Sequence, residues 1–138
     1  MNVPLLLSPK VKISYLFEDN TLRQGVEKFR AHGFTAVPVL SEEGLYRGTV
    51  SDRDFLKFIM KEESFNLKEL ENVLIKDILR TDFNPPVHID ASLDELLERL
   101  MDTNFVPVID GRDCFVGIVT RKSLLGYLRS SPHNRVWN

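Results

Sequence analysis

Two βαββα repeats in one α/β (α+β) fold are what this sequence predicts, and three observations carry that reading. Gly48-Thr49-Val50-Ser51-Asp52-Arg53-Asp54-Phe55-Leu56 returns 69 residues later as Gly117-Ile118-Val119-Thr120-Arg121-Lys122-Ser123-Leu124-Leu125. Val37-Pro38-Val39-Leu40 returns at the same spacing as Val106-Pro107-Val108-Ile109. Upstream, Thr21-Leu22 matches Ser92-Leu93, Phe29 matches Leu100 and Gly33-Phe34 matches Asn104-Phe105 at a spacing of 71, so copy two reads as two residues shorter, immediately before its Val-Pro. A recurring supersecondary unit buries its apolar face against its neighbour. The copies are therefore expected to form one module about an approximate two-fold axis, with Ser51 and Thr120 facing a shared cleft.

The expected divisions are 1–63 for the first copy, 64–80 for a structured connector, 81–130 for the second copy and 131–138 for a tail. Copy one opens with a short extended segment around Ser14 to Leu16. Thr21 with Gln24 makes a capping box for a helix whose stripe is Leu22, Val26 and Phe29, and Gly33 stops it in the left-handed conformation. Ala36 to Leu40 and Tyr46 to Val50 read as strands joined by a Glu43-Gly44 turn, followed by a helix carrying Phe55, Leu56, Phe58 and Ile59. In the connector, Asn66-Leu67-Lys68-Glu69 opens a capped helical stretch, and Ile75 to Arg80 leads to Pro85-Pro86, which forces an extended entry to copy two. There Val87 to Ile89 repeats the extended segment, and Ser92 with Glu95 repeats the box. Leu93, Leu96, Leu97 and Leu100 repeat the stripe, with Asn104 expected as the left-handed stop. Val106 to Ile109 and Phe115 to Val119 repeat the hairpin around Asp110-Gly111, and a helix with Leu124, Leu125, Tyr127 and Leu128 closes the unit.

At 138 residues and 43% hydrophobic content the chain suffices for one compact domain whose halves share a core. With 18 basic against 20 acidic side chains and a net charge of -2, the composition does not favour nucleic acid as a partner. No stretch approaches the roughly 20 apolar residues of a membrane span, and the opening Val3-Pro4-Leu5-Leu6-Leu7 is too short for a secretory core. A soluble cytoplasmic protein is expected. The single cysteine, Cys114, suits a reducing compartment and reads as a small buried hydrophobe in a strand. His32, His88 and His133 lack metal-ligand spacing, Ser51 has no neighbouring His to activate it, and no phosphate-binding loop or nucleophile elbow occurs. The sequence therefore predicts no enzyme and no catalytic cofactor.

Ser51 and Thr120 each stand where a strand gives way to a helix, where free backbone N–H groups and the helix dipole favour an anion. Ser51 with Asp54 reads equally as a capping pair that needs no ligand. Arg121 and Lys122 put two cations in the first turn of a helix, against its dipole. Either an anionic ligand compensates them or they pair with Asp110 or Asp113. On the ligand reading, Arg121→Ala leaves the ligand-free protein no less stable. Arg80 adds a candidate phosphate contact from the connector.

These residues resemble the cystathionine-β-synthase (CBS) domain, whose tandem pairs form a disc-like module that commonly binds adenosine nucleotides. The motif of glycine, two apolar residues, Ser or Thr, two variable residues and Asp stands complete as Gly48 through Asp54; in Gly117 through Ser123 the Asp is replaced by Ser123. The resemblance implies that Ser51 and Thr120 face phosphate or ribose and that Asp54 holds ribose hydroxyls. It places Thr35 and Ala36 beside the adenine, whereas copy two runs from Phe105 straight to Val106. Pro38 and Arg53 complete the expected nucleotide-binding set of copy one, and Val106, Pro107, Thr120, Arg121, Lys122 and Ser123 join Phe105 in copy two. The short Phe-Val segment and Thr120-Arg121-Lys122 also look similar to small CBS pairs of Gram-positive bacteria that sense cyclic di-AMP. AMP, ADP, ATP and cyclic di-AMP are thus the expected ligands, a homodimer and a regulated protein the expected partners. A ligand-free dimerisation or docking module is the alternative.

Overall fold

The computed structural model describes residues 3–33, 35–61, 66 and 68–130. Phe34, Leu67 and the tail 131–138, with His133 and Trp137, lie outside the described residues. The chain divides into two compact units, residues 14–85 and residues 1–13 with 86–138. Its elements run α1 (Val3–Leu6), β1 (Ser8–Pro9), β2 (Leu16–Phe17), α2 (Leu22–His32), β3 (Ala36–Leu40), β4 (Tyr46–Ser51), α3 (Asp52–Lys61), α4 (Ile75–Ile78), β5 (Val87–His88), α5 (Leu93–Leu100), β6 (Phe105–Ile109), β7 (Phe115–Thr120) and α6 (Arg121–Ser130). The βαββα order is therefore present twice, as β2-α2-β3-β4-α3 and as β5-α5-β6-β7-α6. Among the described residues no helix is long and apolar enough to cross a membrane.

Each unit builds its sheet in the same register. β2 pairs parallel to β3, and β3 antiparallel to β4 with Ala36 opposite Ser51. β5 pairs parallel to β6, and β6 antiparallel to β7 with Phe105 opposite Thr120. A bulge falls between Val39 and Leu40 and again between Val108 and Ile109. The hairpin turns are stabilised differently. In copy one the Ser41 hydroxyl accepts the Leu45 amide at 3.0 Å. In copy two Asp110 Oδ1 accepts the Arg112 amide at 2.8 Å and the Cys114 amide at 3.0 Å, which hold its carboxyl below the usual range. Cys114 lies half-buried in that turn rather than buried within a strand.

The two leader segments are exchanged. Val3-Pro4-Leu5-Leu6-Leu7-Ser8 precedes copy one but packs with copy two, where Val3 and Leu6 join the core of Val87, Leu96, Val106, Val108, Val119 and Leu124. Ile75 to Arg80 precedes copy two but packs with copy one, where Ile75 joins Leu16, Leu22, Phe29, Val37, Val39, Val50 and Phe55. The leaders match in sequence, Val3 with Ile75, Leu6 with Ile78 and Leu7 with Leu79. They match in register as well, since Ser8 lies opposite Ile118 and Arg80 bridges Thr49, the corresponding residue. Each leader thus completes the apolar cluster of the unit it packs with. Residues 1–13 go with copy two, although contiguity in sequence groups them with copy one.

The helix caps follow the sequence in copy one and depart from it in copy two. Thr21 makes the full capping box with Gln24, and Gly33 closes α2 at φ 66° with its N–H on the Phe29 carbonyl. Ser92 accepts the Glu95 amide at the start of α5. At the other end, Asn104 does not adopt the left-handed conformation expected of it; α5 stops at Leu100, with Met101 still right-handed. The two-residue shortening therefore falls at the end of this helix, and Asn104 and Phe105 occupy the places of Thr35 and Ala36. The backbone confirms that correspondence, because the Asp52 amide meets the Thr35 carbonyl at 3.0 Å and the Arg121 amide meets the Asn104 carbonyl at 2.8 Å. The expected capped helical stretch of the connector is a short 3-10 turn, Glu69–Glu71, with the Lys68 amide on Asn66 Oδ1.

Candidate functional site

In copy one the strand-to-helix junction gathers three of the expected residues. Asp54 is buried, at 6% exposure, and its Oδ2 accepts the Ser51 amide at 2.8 Å and the Ser51 hydroxyl at 3.1 Å. Arg80 Nε lies 2.9 Å from Asp54 Oδ1, and its Nη2 donates to Oδ2 at 3.3 Å. The Arg80 guanidinium also stands 4.2 Å from the Phe83 ring centre, a cation–π distance. The cap and the ion pair are thus one cluster, with the carboxylate aimed by three donor groups. Lys57, Phe58, Lys61, Asp77 and Ile78 join Asp54 and Arg80 around a depression of about 320 Å³. Of the remaining expected residues, Thr35 and Arg53 are exposed, Ala36 is half-buried and Pro38 is buried in β3.

Copy two builds the same cap without the carboxylate and its ion pair. Thr120 Oγ1 accepts the Ser123 amide at 3.0 Å and donates to Ser123 Oγ at 2.8 Å. Ser123 stands where copy one has Asp54, and Ser8 stands where it has Arg80. Both members of the ion pair are replaced together, so neither charge is left alone. Val106 and Pro107 are buried, which leaves Phe105, half-buried at the strand start, as the more accessible residue of that segment.

Arg121 does not behave as its helix position suggested. Its Nε donates to the Leu100 carbonyl at 2.8 Å, and its Nη2 reaches the carbonyls of Thr103 at 3.1 Å and Met101 at 3.4 Å. The guanidinium therefore covers the carbonyl end of α5, where a cation is favourable, and replaces the missing left-handed cap. Neither Asp110 nor Asp113 is its partner in the described structure. Arg121→Ala is accordingly expected to lower the stability of the ligand-free protein by about 1–2 kcal/mol, read from the denaturant midpoint. An unchanged midpoint would show that these hydrogen bonds contribute nothing net.

Thr120, Arg121 and Lys122 do line one depression, of about 730 Å³, together with Asn104, Leu125, Gly126 and Arg129. Among the described residues of this lining three are cations and none is acidic. Asn104, Gly126 and Arg129 escaped the sequence reading; the signal was the spacing of Lys122, Gly126 and Arg129, which places them on one helix face. Among the described residues no cluster of His, Cys, Asp and Glu could hold a metal ion.

Comparison with known proteins agrees with this architecture. The chain is 24% identical over 114 residues to cyclic di-AMP receptor B of Bacillus subtilis, covering 83% of this chain and 77% of the relative. A crystal structure of CbpB in complex with c-di-AMP superposes with a TM-score of 0.88 at 26% identity, covering 99% of this chain and 89% of that one. CBSX2 in complex with AMP shares the fold alone, at 19% identity and a TM-score of 0.73, over 91% of this chain and 93% of that one. The CBS domain family itself matches residues 7–61 and 75–130. With the βαββα order, the matched registers and the repeated glycine-to-hydroxyl motif, these matches establish that the chain belongs to the CBS-domain family.

Proposed function

We propose that this CBS pair is a non-enzymatic sensor of an adenine nucleotide, with cyclic di-AMP as the first candidate and AMP, ADP and ATP after it. The observation that carries the reading is the acid-free depression at the start of α6, where Thr120, Arg121 and Lys122 stand together. A phosphodiester suits that lining because it is anionic at every physiological pH and accepts hydrogen bonds from both hydroxyl and cation. The similarity to cyclic di-AMP receptor B supports the same ligand class. Asp54, fixed by Ser51 and Arg80, supplies a carboxylate for ribose hydroxyls, and Thr35, Ala36 and Phe105 are the proposed neighbours of the bases. Pro38, Arg53, Val106, Pro107 and Ser123 complete the proposed binding set. The ligand state passes to a regulated protein, with the chain acting as a homodimer in the cytoplasm, where one half-buried cysteine tolerates reducing conditions.

Thermal melting with a nucleotide panel tests this. A ligand of the native state at about 100 times its dissociation constant adds about 2.7 kcal/mol of stability, and cyclic di-AMP is expected to give the largest upward shift. The replacement of the Asp54–Arg80 pair by Ser123 and Ser8 favours a second reading, a ligand-free docking module. That reading predicts no shift with any nucleotide.

A further inference from the structure

Gly126 lies in the interior of the ten-residue helix α6, where glycine is less favourable than alanine because its backbone loses more freedom on folding. The fold gives no reason for it. Its φ is not in the left-handed region, and a Cβ built there meets nothing within 4 Å. The contrast is Gly25 in α2, where a Cβ would come within 2.9 Å of both Ile75 and Phe55. Packing explains that helical glycine and leaves Gly126 unexplained.

The surroundings of Gly126 give a reason of another kind. Lys122 stands one turn before it and Arg129 one turn after it, on the same face, and all three line the acid-free depression. Neither cation forms an ion pair among the described residues. Leu125 beside them is 59% exposed. The corresponding positions of α3 hold Arg53, Lys57 and Met60, so copy two alone carries a helix position without a side chain between two cations; the Gly126 carbonyl there accepts the Ser130 hydroxyl at 2.8 Å.

We infer that this patch is the seat of the ligand's phosphate, with Gly126 as a floor that lets the group approach the helix backbone and Lys122 and Arg129 as its cationic rim. The assignment rests on the nucleotide reading and adds Gly126 and Arg129 to the residues that meet the ligand. A side chain at Gly126 would hold the phosphate away from the floor. Removing either rim cation would weaken the charge-assisted contact and leave the nucleoside contacts in place.

Gly126→Ala, Lys122→Gln and Arg129→Gln in the full chain, titrated with cyclic di-AMP, AMP and adenosine, test the inference. Ligand-free Gly126→Ala is expected to melt roughly 2–4 °C above the parent, yet to bind cyclic di-AMP and AMP at least about tenfold more weakly. The two glutamine variants should lose about tenfold for both nucleotides and less than about twofold for adenosine. Parent-like nucleotide affinity in Gly126→Ala would overturn the inference, as would an equal loss for adenosine in the glutamine variants. If the parent binds no adenine nucleotide, the nucleotide reading fails and inorganic pyrophosphate decides the anion site. Shifts of the Lys122 and Gly126 amide resonances on adding it would support the site, and their absence would end it.

Discussion

Gly117→Ala is expected to cost about 3–5 kcal/mol of stability and to release the leader Val3–Pro9 from its unit. A Cβ at Gly117 would lie 2.2 Å from the Ser8 carbonyl oxygen, 3.0 Å from Leu7 Cδ1 and 3.1 Å from Pro9 Cα, and the residue sits at φ 155°. Two of those three atoms are backbone, so no rotamer change relieves the clash. The pairing of β1 with β7 must open, and Val3 and Leu6 lose their place in the core. The corresponding Gly48→Ala meets Leu79 Cδ1 at 3.1 Å and the Arg80 carbonyl oxygen at 3.2 Å, a tight but yielding fit, and should cost less. Urea midpoints for both variants, with proteolysis of the released leader, check this order. Equal costs, or an unreleased leader in Gly117→Ala, would contradict it.

The second large effect is expected at Asp54. Asp54→Ala removes the acceptor of the Ser51 amide, the Ser51 hydroxyl and Arg80. Stability should fall by about 2–3 kcal/mol, below the cost of breaking a fully buried pair because Arg80, at 43% side-chain exposure, recovers water. Nucleotide affinity should fall by a further charge-assisted hydrogen bond, about 1.5–3 kcal/mol. Ser123→Ala, which removes one neutral contact to Thr120, should lose about 1 kcal/mol of stability and little affinity. Calorimetry and denaturation of both variants separate the copies, and a larger affinity loss at Ser123 would overturn the assignment of the ribose anchor.

The features legible in the sequence are those decided within a few residues of themselves. Thr21 with Gln24, Ser92 as the cap that accepts the Glu95 amide, Gly33 and the two hairpin turns each carry their own geometry, and all were readable one copy at a time. The exchange of the leaders was not readable, because Val3/Leu6/Leu7 and Ile75/Ile78/Leu79 offer the same apolar pattern to either copy. The role of Arg121 was hidden for a related reason. Its position in its own helix opposes the dipole, and only the shortened end of α5, about 20 residues earlier, reveals the carbonyls it covers. In the site, the motif pointed to Ser51, Asp54 and Thr120 because chemistry and spacing coincide there, whereas Asp54's partner Arg80 lies in another element. The spacing of Lys122, Gly126 and Arg129 put Gly126 on a basic helix face, but only coordinates show that a Cβ there would meet nothing within 4 Å.

The exchanged leaders impose an order on how the chain is completed during synthesis. Residues 14–85 form one continuous unit, and every residue of its core cluster, Leu16 to Leu79, has been made once Pro85 has left the ribosome. The other unit is split, and Val3, Leu6 and Leu7 have no groove until β7 and α6 exist. At roughly 5–20 residues per second, that interval lasts seconds, during which the leader's apolar residues are open to chaperones or to the nascent chains of neighbouring ribosomes. The Gly117→Ala chain, with its leader free, would hold that passing state long enough to be studied.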